Sequence, residues 1–320
     1  MQKWKKWAAA VVAAGMLSSL GVATALEEAP IQVDMKPDFS VMVDMNEAGF
    51  QDANGAYVYP IVYQGSTYLP LRAVGKLMGM EAGWDAATKT VTLDDDPANP
   101  DGTYVEPQPE TSRPEPSVVQ AMSKPDVTVI INGESTVFTD ANGKVIYPII
   151  YNGTTYLPLR AIGNIMEMEV GWNAAGKIVF LGQQPTEEET QKINFMAQLI
   201  AQVDAAQEHA EKADALMDVV TDSYDDVRVE MEGVAKCMDA IAALETPDYQ
   251  QKDYEAVKTS AALVAEKVRA LNAILAEVDP QEILTPQQAE ELSTRTEKAL
   301  EEYQVANMDF IVACAFLQKG

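Results

Sequence analysis

The sequence predicts an α+β chain: two small modules, each of about five antiparallel strands around one helix, followed by an all-α antiparallel bundle of about four helices. Three observations lead to this prediction. A segment of the first half recurs further along the chain, each copy carries strand and turn signals, and apolar residues beyond residue 186 recur every three or four positions.

The N-terminal 25 residues have the composition of a secretory signal peptide. Three lysines within the first six residues precede an apolar stretch, and Ala25 ends a small-residue cleavage motif. The apolar stretch of roughly 13 residues is shorter than the ~20 that span a bilayer, so a retained membrane anchor is the less favoured alternative. We predict a secreted, extracellular protein, associated with the cell surface or free, with a flexible segment over residues 26–38.

Composition excludes several classes of function. The formal charge of −26 opposes binding to nucleic acid and to anionic polymers. His209 is the only histidine, and we expect it at a solvated helix position. The chain also lacks a Gly-x-Ser-x-Gly elbow and a phosphate-binding loop, so the sequence indicates no enzyme, no cofactor and no metal site.

Residues 52–85 and 140–173 align without a gap, 88 positions apart, and about two-thirds of the aligned positions are identical. The first copy reads DANGAYVYPIVYQGSTYLPLRAVGKLMGMEAGWD, and the second reads DANGKVIYPIIYNGTTYLPLRAIGNIMEMEVGWN. Weaker similarity continues on both sides. The duplication therefore predicts two α+β modules, over residues 39–95 and 127–183.

Each copy has a recognisable order of elements. In the first copy, alternating or β-branched runs predict strands at residues 41–45, 59–63, 67–69, 82–84 and 90–93. Asn54-Gly55 predicts a hairpin turn, Pro70 suits the start of a helix, and Gly79 suits its end. Trp84 and Trp172 follow the helices, and we expect them to cover the core between helix and sheet.

The run Tyr-Pro-Ile-x-Tyr-x-Gly-x-Thr-Tyr-Leu-Pro-Leu-Arg-Ala, followed by Gly-Trp-Asp or Gly-Trp-Asn, resembles the copper amine oxidase N-terminal (stalk) domain family. The resemblance implies a five-stranded antiparallel sheet curved around a helix. Such domains recur in tandem in secreted and envelope proteins of Gram-positive bacteria without the oxidase domain. The resemblance implies no catalysis, because copper in the oxidases needs three histidines and a tyrosine-derived quinone.

Proline and acidic residues dominate the segment between the copies, residues 96–126. Such a composition buries little apolar surface, so it predicts a stiff, extended linker. We accordingly expect the two modules to be separate units on a tether.

Residues 186–320 are predicted to be a helical bundle or coiled-coil domain. Two apolar stripes at helical spacing stand out, from Tyr254 to Val278 and from Ala289 to Leu317. Thr246-Pro247-Asp248 marks a break between helices. We expect this domain to mediate interactions, self-association among them.

Four residues of the modules are candidates for contact with a ligand. Arg72 and Arg160 fall in the first turn of each predicted helix. A cation there is either an anion clamp or a structural partner of a nearby Asp or Glu or of strand carbonyls, and the structural use is the more common one. Tyr63 and Tyr151 lie on strands rich in tyrosine, where some rings must face outward. Outward rings would stack on sugars, whereas inward rings would pack in the core.

Cys237 and Cys314 both fall in the helical half, and the sequence leaves open whether they form a disulfide. Taken together, these features predict an envelope-associated, non-catalytic binding or scaffolding protein whose partner is an envelope protein or polysaccharide. The alternative is a cell-wall polysaccharide binder that uses exposed tyrosines of the modules. A hydrolase hidden in the bundle is a third class that no motif favours.

Overall fold

The structure, a computed structural model, describes residues 28–139, 143–217, 224–248, 251–279 and 283–319. It is an α+β fold, with a strand-rich first half and four long helices in the second half, which confirms the predicted fold class. The predicted signal peptide over residues 1–25 lies outside the described residues.

The first copy contains β1 (Ala29–Met35), β2 (Ser40–Val43), β3 (Asn46–Glu47), β4 (Ile61–Tyr63), β5 (Ser66–Pro70), α1 (Leu71–Leu77), β6 (Met80–Asp85) and β7 (Thr90–Asp95). The second copy contains β8 (Ser117–Ser123), β9 (Thr128–Ile131), β10 (Glu134–Thr136), β11 (Phe138–Thr139), β12 (Val145–Ile146), β13 (Ile149–Tyr151), β14 (Thr154–Pro158), α2 (Leu159–Ile165), β15 (Val170–Asn173) and β16 (Ile178–Leu181). The second half contains α3 (Glu187–Met217), α4 (Asp225–Ala242), α5 (Gln251–Leu275) and α6 (Pro286–Lys319).

Local sequence explains the hairpins and the helix starts. Gln64-Gly65 joins β4 to β5 and Asn152-Gly153 joins β13 to β14, with φ of 48° and 74° in the first turn and 46° and 76° in the second. Two positive φ angles in a row are typical of the tight turn that matches strand twist. Pro70 and Pro158 then precede α1 and α2, where a missing backbone N–H costs no helical hydrogen bond.

The two copies together build one closed, six-stranded barrel in the order β1-β4-β5-β14-β13-β8. Each copy contributes three neighbouring strands. The two sets join antiparallel at β1–β8 and at β5–β14, so neither copy closes the barrel by itself. Full closure removes the exposed strand edges that a half-barrel would leave.

Equivalent residues of the two copies face each other at both joins. Gln32 pairs with Gln120 at the centre of the β1–β8 ladder, and Leu69 pairs with Leu157 at the centre of the β5–β14 ladder. Each pair is separated by the repeat offset of 88 positions, so a pseudo-two-fold axis passes through both pairs. The arrangement has the geometry of an isologous dimer interface within one chain.

Two further sheets exchange strands in the same symmetric manner. β7 of the first copy pairs in parallel with β9 of the second, and β16 of the second copy pairs in parallel with β2 of the first. Two equivalent ion pairs lie beside these exchanges, Lys177–Asp38 with Nζ and Oδ2 2.8 Å apart and Lys89–Asp126. Leu69, Leu93, Leu157 and Leu181 are almost fully buried in the apolar core that both copies share.

The expectation of separate modules on an extended tether is therefore corrected. The flexible segment expected over residues 26–38 is corrected as well, because Ala29–Met35 is strand β1 of the barrel. β8 lies inside the predicted linker of residues 96–126 and is a barrel strand, because residues 117–123 are largely apolar and repeat the strand that begins at Ala29. Other linker residues pack on the first copy: the Tyr104 hydroxyl donates to the Glu47 carbonyl, and Arg113 Nη2 lies 3.0 Å from Glu47 Oε1.

The helical half is a row of helices in which the extensive contacts join consecutive neighbours: α3 with α4, α4 with α5, and α5 with α6. The number of helices agrees with the prediction. α3 also meets the strand-rich half, where Asn173 Nδ2 donates to Asn194 Oδ1 at 2.8 Å. Among the described residues, no helix combines the length and apolarity needed to cross a bilayer.

Candidate functional site

Two equivalent grooves lie on the strand-rich half. Groove A, of about 480 Å³, is lined by Arg160 and Trp172 of the second copy and by Ser66 and Thr67 of the first. In groove B, of about 420 Å³, the first copy provides the arginine and the tryptophan and the second copy provides the hydroxyl residues. It is lined by Arg72 and Trp84 of the first copy and by Thr154 and Thr155 of the second.

Both grooves result from the strand exchange. One wall comes from the start of a module helix and the edge strand that follows it, and the other comes from a barrel hairpin of the opposite copy. A single module packed alone would lack the second wall. The grooves are thus products of the pairing, which sequence analysis of one copy does not reveal.

Arg72 and Arg160 are exposed in their grooves, and the described residues provide no ion pair or hydrogen bond for either guanidinium. The structural ion pair, favoured as the more common use, is therefore not found. The neighbouring carboxylate in groove B is engaged elsewhere: Asp52 Oδ1 accepts from the backbone N–H groups of Asn54 at 2.8 Å and Ala56 at 3.0 Å. In the part of the chain that the structure describes, each groove consequently presents a guanidinium whose donors can bind a ligand.

Trp84 and Trp172 differ from expectation, because each is 47% exposed and lines a groove instead of covering the core. Both belong to edge strands, β6 and β15, where only one side of the strand is paired. In groove A the ring of Phe39 lies against Trp172, with centroids 4.7 Å apart and planes at 44°. The presence of Trp and Arg at equivalent positions in both copies was the available sequence signal for this site.

Strand edges without a strand partner border each groove in the described part of the chain. β6 pairs only with β7, and β15 pairs only with β16. On the opposite wall, β14 pairs with β5 only from Tyr156 onward, so Thr154 and Thr155 have no strand on that side. Unpaired backbone N–H and C=O groups are ready partners for another extended chain.

Tyr63 and Tyr151 do not line either groove; each is half-buried against the apolar cluster inside the barrel. Their neighbours Tyr68 and Tyr156 are buried there. Burial, together with the nearby Tyr63 phenol, raises the pKa of Tyr68 to about 12, and burial also raises the pKa of Tyr156. Tyr68 and Tyr156 thus stay protonated at neutral pH, and both serve packing inside the barrel.

The cysteines are separate thiols in the structure, on α4 and α6. Burial raises the pKa of both Cys237 and Cys314, the latter to about 11, so both are poor nucleophiles. His209 is paired, not merely solvated, because its Nδ1 lies 2.6 Å from Glu230 Oε2. Within the described residues, no group of three or more histidine, cysteine, aspartate or glutamate side chains has the arrangement to hold a metal ion.

Comparison with known proteins supports the resemblance found in the sequence. The family model described as "Copper amine oxidase N-terminal domain" matches residues 52–100 and 121–199. The matched model describes a non-catalytic domain of those enzymes. No curated protein and no solved structure matches the chain significantly.

Proposed function

We propose that this chain is a secreted, envelope-associated binding and scaffolding protein without catalytic activity, in which grooves A and B hold the ligand. One observation carries the proposal: two equivalent grooves each present a guanidinium for which the described residues provide no ion pair or hydrogen bond. In a chain with 49 acidic and 23 basic residues, carboxylates are available almost everywhere, so two equivalent arginines without a partner among the described residues need another explanation.

Aromatic and hydroxyl groups beside each guanidinium support a binding role. Half-exposed Trp84 or Trp172 offers an apolar face, and Thr154 and Thr155, or their counterparts in groove A, offer polar groups. A concave surface with a mostly apolar lining and a few convergent polar groups is typical of ligand sites. Among the described lining residues, neither groove pairs a nucleophile with an adjacent base, and the groups present are suited to recognition.

The helical row fits the scaffolding part of the proposal. α6 carries exposed apolar residues at helical spacing, which are Val305, Met308, Val312 and Phe316. An exposed apolar stripe favours association, and we propose that a second copy of the chain covers it. Light scattering of the full mature chain tests this part. The expected result is a dimer for the wild type and a monomer for Met308→Glu with Phe316→Glu, and a monomeric wild type would remove self-association from the proposal.

Sedimentation with purified sacculi of a Gram-positive bacterium tests the binding role. The mature chain should co-sediment, and the double variant Arg72→Met with Arg160→Met should remain in the supernatant. Lys76→Met is the matched control, since it removes a positive charge from α1 at an exposed position outside groove B. Equal sedimentation of the wild type and the double variant would refute a role for the grooves.

A polysaccharide ligand remains the second candidate, now with a different surface. Tyr63 and Tyr151 are half-buried, so sugar stacking falls instead to Trp84 and Trp172 in the grooves. Sacculi pretreated with protease separate the two candidates, because a polysaccharide partner survives that treatment and a protein partner does not.

A further inference from the structure

We infer that grooves A and B each bind an extended peptide segment of a partner protein by strand addition, with one carboxylate of that segment on the groove arginine. The inference rests on the binding role proposed above and names its ligand class. Three features carry it: the open strand edges, the guanidinium, and the sign of the overall charge.

Strand addition follows from the edges that border each groove. β6 and β15 end their sheets, and each contributes residues to a groove wall. An extended peptide laid beside such an edge gains main-chain hydrogen bonds, and pockets for alternate side chains give it specificity. β6 has six residues and β15 has four, so the bound segment spans about four to six residues.

The arginine determines the side chain that the groove selects. Arg72 or Arg160 can donate two parallel hydrogen bonds to one carboxylate, which fixes the register of the segment as well as its charge. The neighbouring tryptophan offers an apolar face to a residue beside that carboxylate. The preferred segment therefore combines a single Asp or Glu with aliphatic or hydroxyl-bearing neighbours.

Overall charge distinguishes this ligand from acidic polysaccharide. At a formal charge of −26, the protein repels a polymer with a carboxylate on every repeat. A neutral polysaccharide avoids that repulsion but offers the guanidinium only neutral acceptors, which form weaker hydrogen bonds than a carboxylate does. A peptide with one isolated carboxylate satisfies the arginine at the smallest electrostatic cost.

Binding of synthetic heptapeptides to the full mature chain, followed by fluorescence polarisation, tests the inference. The probe set alternates Thr and Val, places one Asp at each position in turn, and includes the matched Asn peptides. We expect Asp at one register to bind at least about tenfold more tightly than Asn. The Arg72→Met, Arg160→Met double variant should lose that preference, and Lys76→Met should keep it.

Backbone N-methylation provides a readout specific to strand addition. Methylation at alternate residues of the best peptide should abolish binding, and methylation at the intervening residues should not, because only one edge of the peptide faces the groove strand. Absence of any Asp preference, or uniform tolerance of N-methylation, would overturn the inference.

The sacculus experiment keeps the two proposals distinguishable. If the double arginine variant loses sedimentation and protease-treated sacculi still bind the wild type, the grooves bind polysaccharide, so the peptide inference fails and the binding role stands. If the variant sediments like the wild type and no peptide binds, both fail. Loss of sedimentation after protease treatment, together with Asp-selective peptides, supports both.

Discussion

Asp85 in the first copy and Asn173 in the second occupy equivalent positions and contact different groups. Asp85 closes its own turn, with Oδ1 accepting from the backbone N–H groups of Ala87 at 2.8 Å and Thr88 at 3.4 Å. Asn173 Oδ1 accepts from the Gly176 N–H at 2.7 Å, and its amide donates to Asn194 of α3. A carboxylate can only accept, whereas an amide can cap the turn and also donate to the next element.

Two copies with one fold have thus acquired different neighbours. The turn of the first copy is exposed to solvent, and the turn of the second copy holds the helical half. The grooves differ as well, since Phe39 stacks on Trp172 in groove A and its counterpart in the second copy is Val127. The two barrel joins pair equivalent residues of the copies, whereas Asn173 and Phe39 each make a contact that the counterpart residue in the other copy does not make.

Cutting the chain between the copies tests most directly whether they form one unit. A protease site inserted after Glu115, in an exposed stretch before β8, should be cleaved without separation of the fragments, because β-strand exchange and a common core hold them together. Size-exclusion chromatography of the cleaved protein should give one peak that contains both fragments. Two separate folded peaks would show that the copies are independent modules.

Leu69→Ala and Leu157→Ala should have similar and large effects, because both leucines are 0% exposed at the pseudo-two-fold axis. Each should lower the free energy of unfolding by about 3 kcal/mol in urea titrations. The strand-rich half should unfold in one transition in both variants. Val118→Ala, at a position that is 63% exposed, is the control and should cost below ~0.5 kcal/mol.

The double variant Leu69→Ala with Leu157→Ala sharpens the same point. Substitutions of side chains that contact each other do not have additive effects on the free energy of unfolding. The loss in the double variant should therefore differ measurably from the sum of the two single losses. Strict additivity would contradict a shared core at this axis.

Asn173→Ala should cost about 1–2 kcal/mol, because it removes both the turn cap and the donor to Asn194. Asp85→Ala removes only the turn cap of the first copy and should cost less. The difference between the two losses in urea titrations measures the contact with α3. Equal losses would mean that the Asn173–Asn194 hydrogen bond contributes nothing to holding the two halves together.

The smallest predicted effect concerns the ion pair between Lys89 and Asp126, one from each copy. The hydrogen bond from Lys89 holds the pKa of the Asp126 carboxyl below its usual value. The folded protein therefore keeps this carboxyl ionised to lower pH than the unfolded chain does, and the pair's stabilisation, present above about pH 4, declines as pH falls through the folded-state pKa. Asp126→Asn should flatten the profile of melting temperature against pH below about pH 4, where the wild type loses the contribution of this pair.

Repetition and local chemistry in the sequence were sufficient to predict much of the fold. Helix α1 begins directly after Pro70, strands overlap the predicted ranges 59–63, 67–69, 82–84 and 90–93, and four long helices lie where the apolar spacing indicates them. These elements depend on backbone preferences and on residues three or four positions apart, which are readable from one segment. The negative charge and the single histidine likewise limit the possible functions through composition alone.

Pairing between the copies was decided only in three dimensions. The local sequence of β5 does not indicate whether its second partner is a strand of its own copy or β14 of the other copy. The partner depends on which pairing buries apolar residues that are distant in the sequence. Trp84, Trp172, Arg72 and Arg160 became groove residues through the same pairing, because the second wall of each groove comes from the other copy. The local sequence determined the strands and helices. The burial of Leu69 against Leu157, which pairs the two copies, determined the barrel and its two grooves.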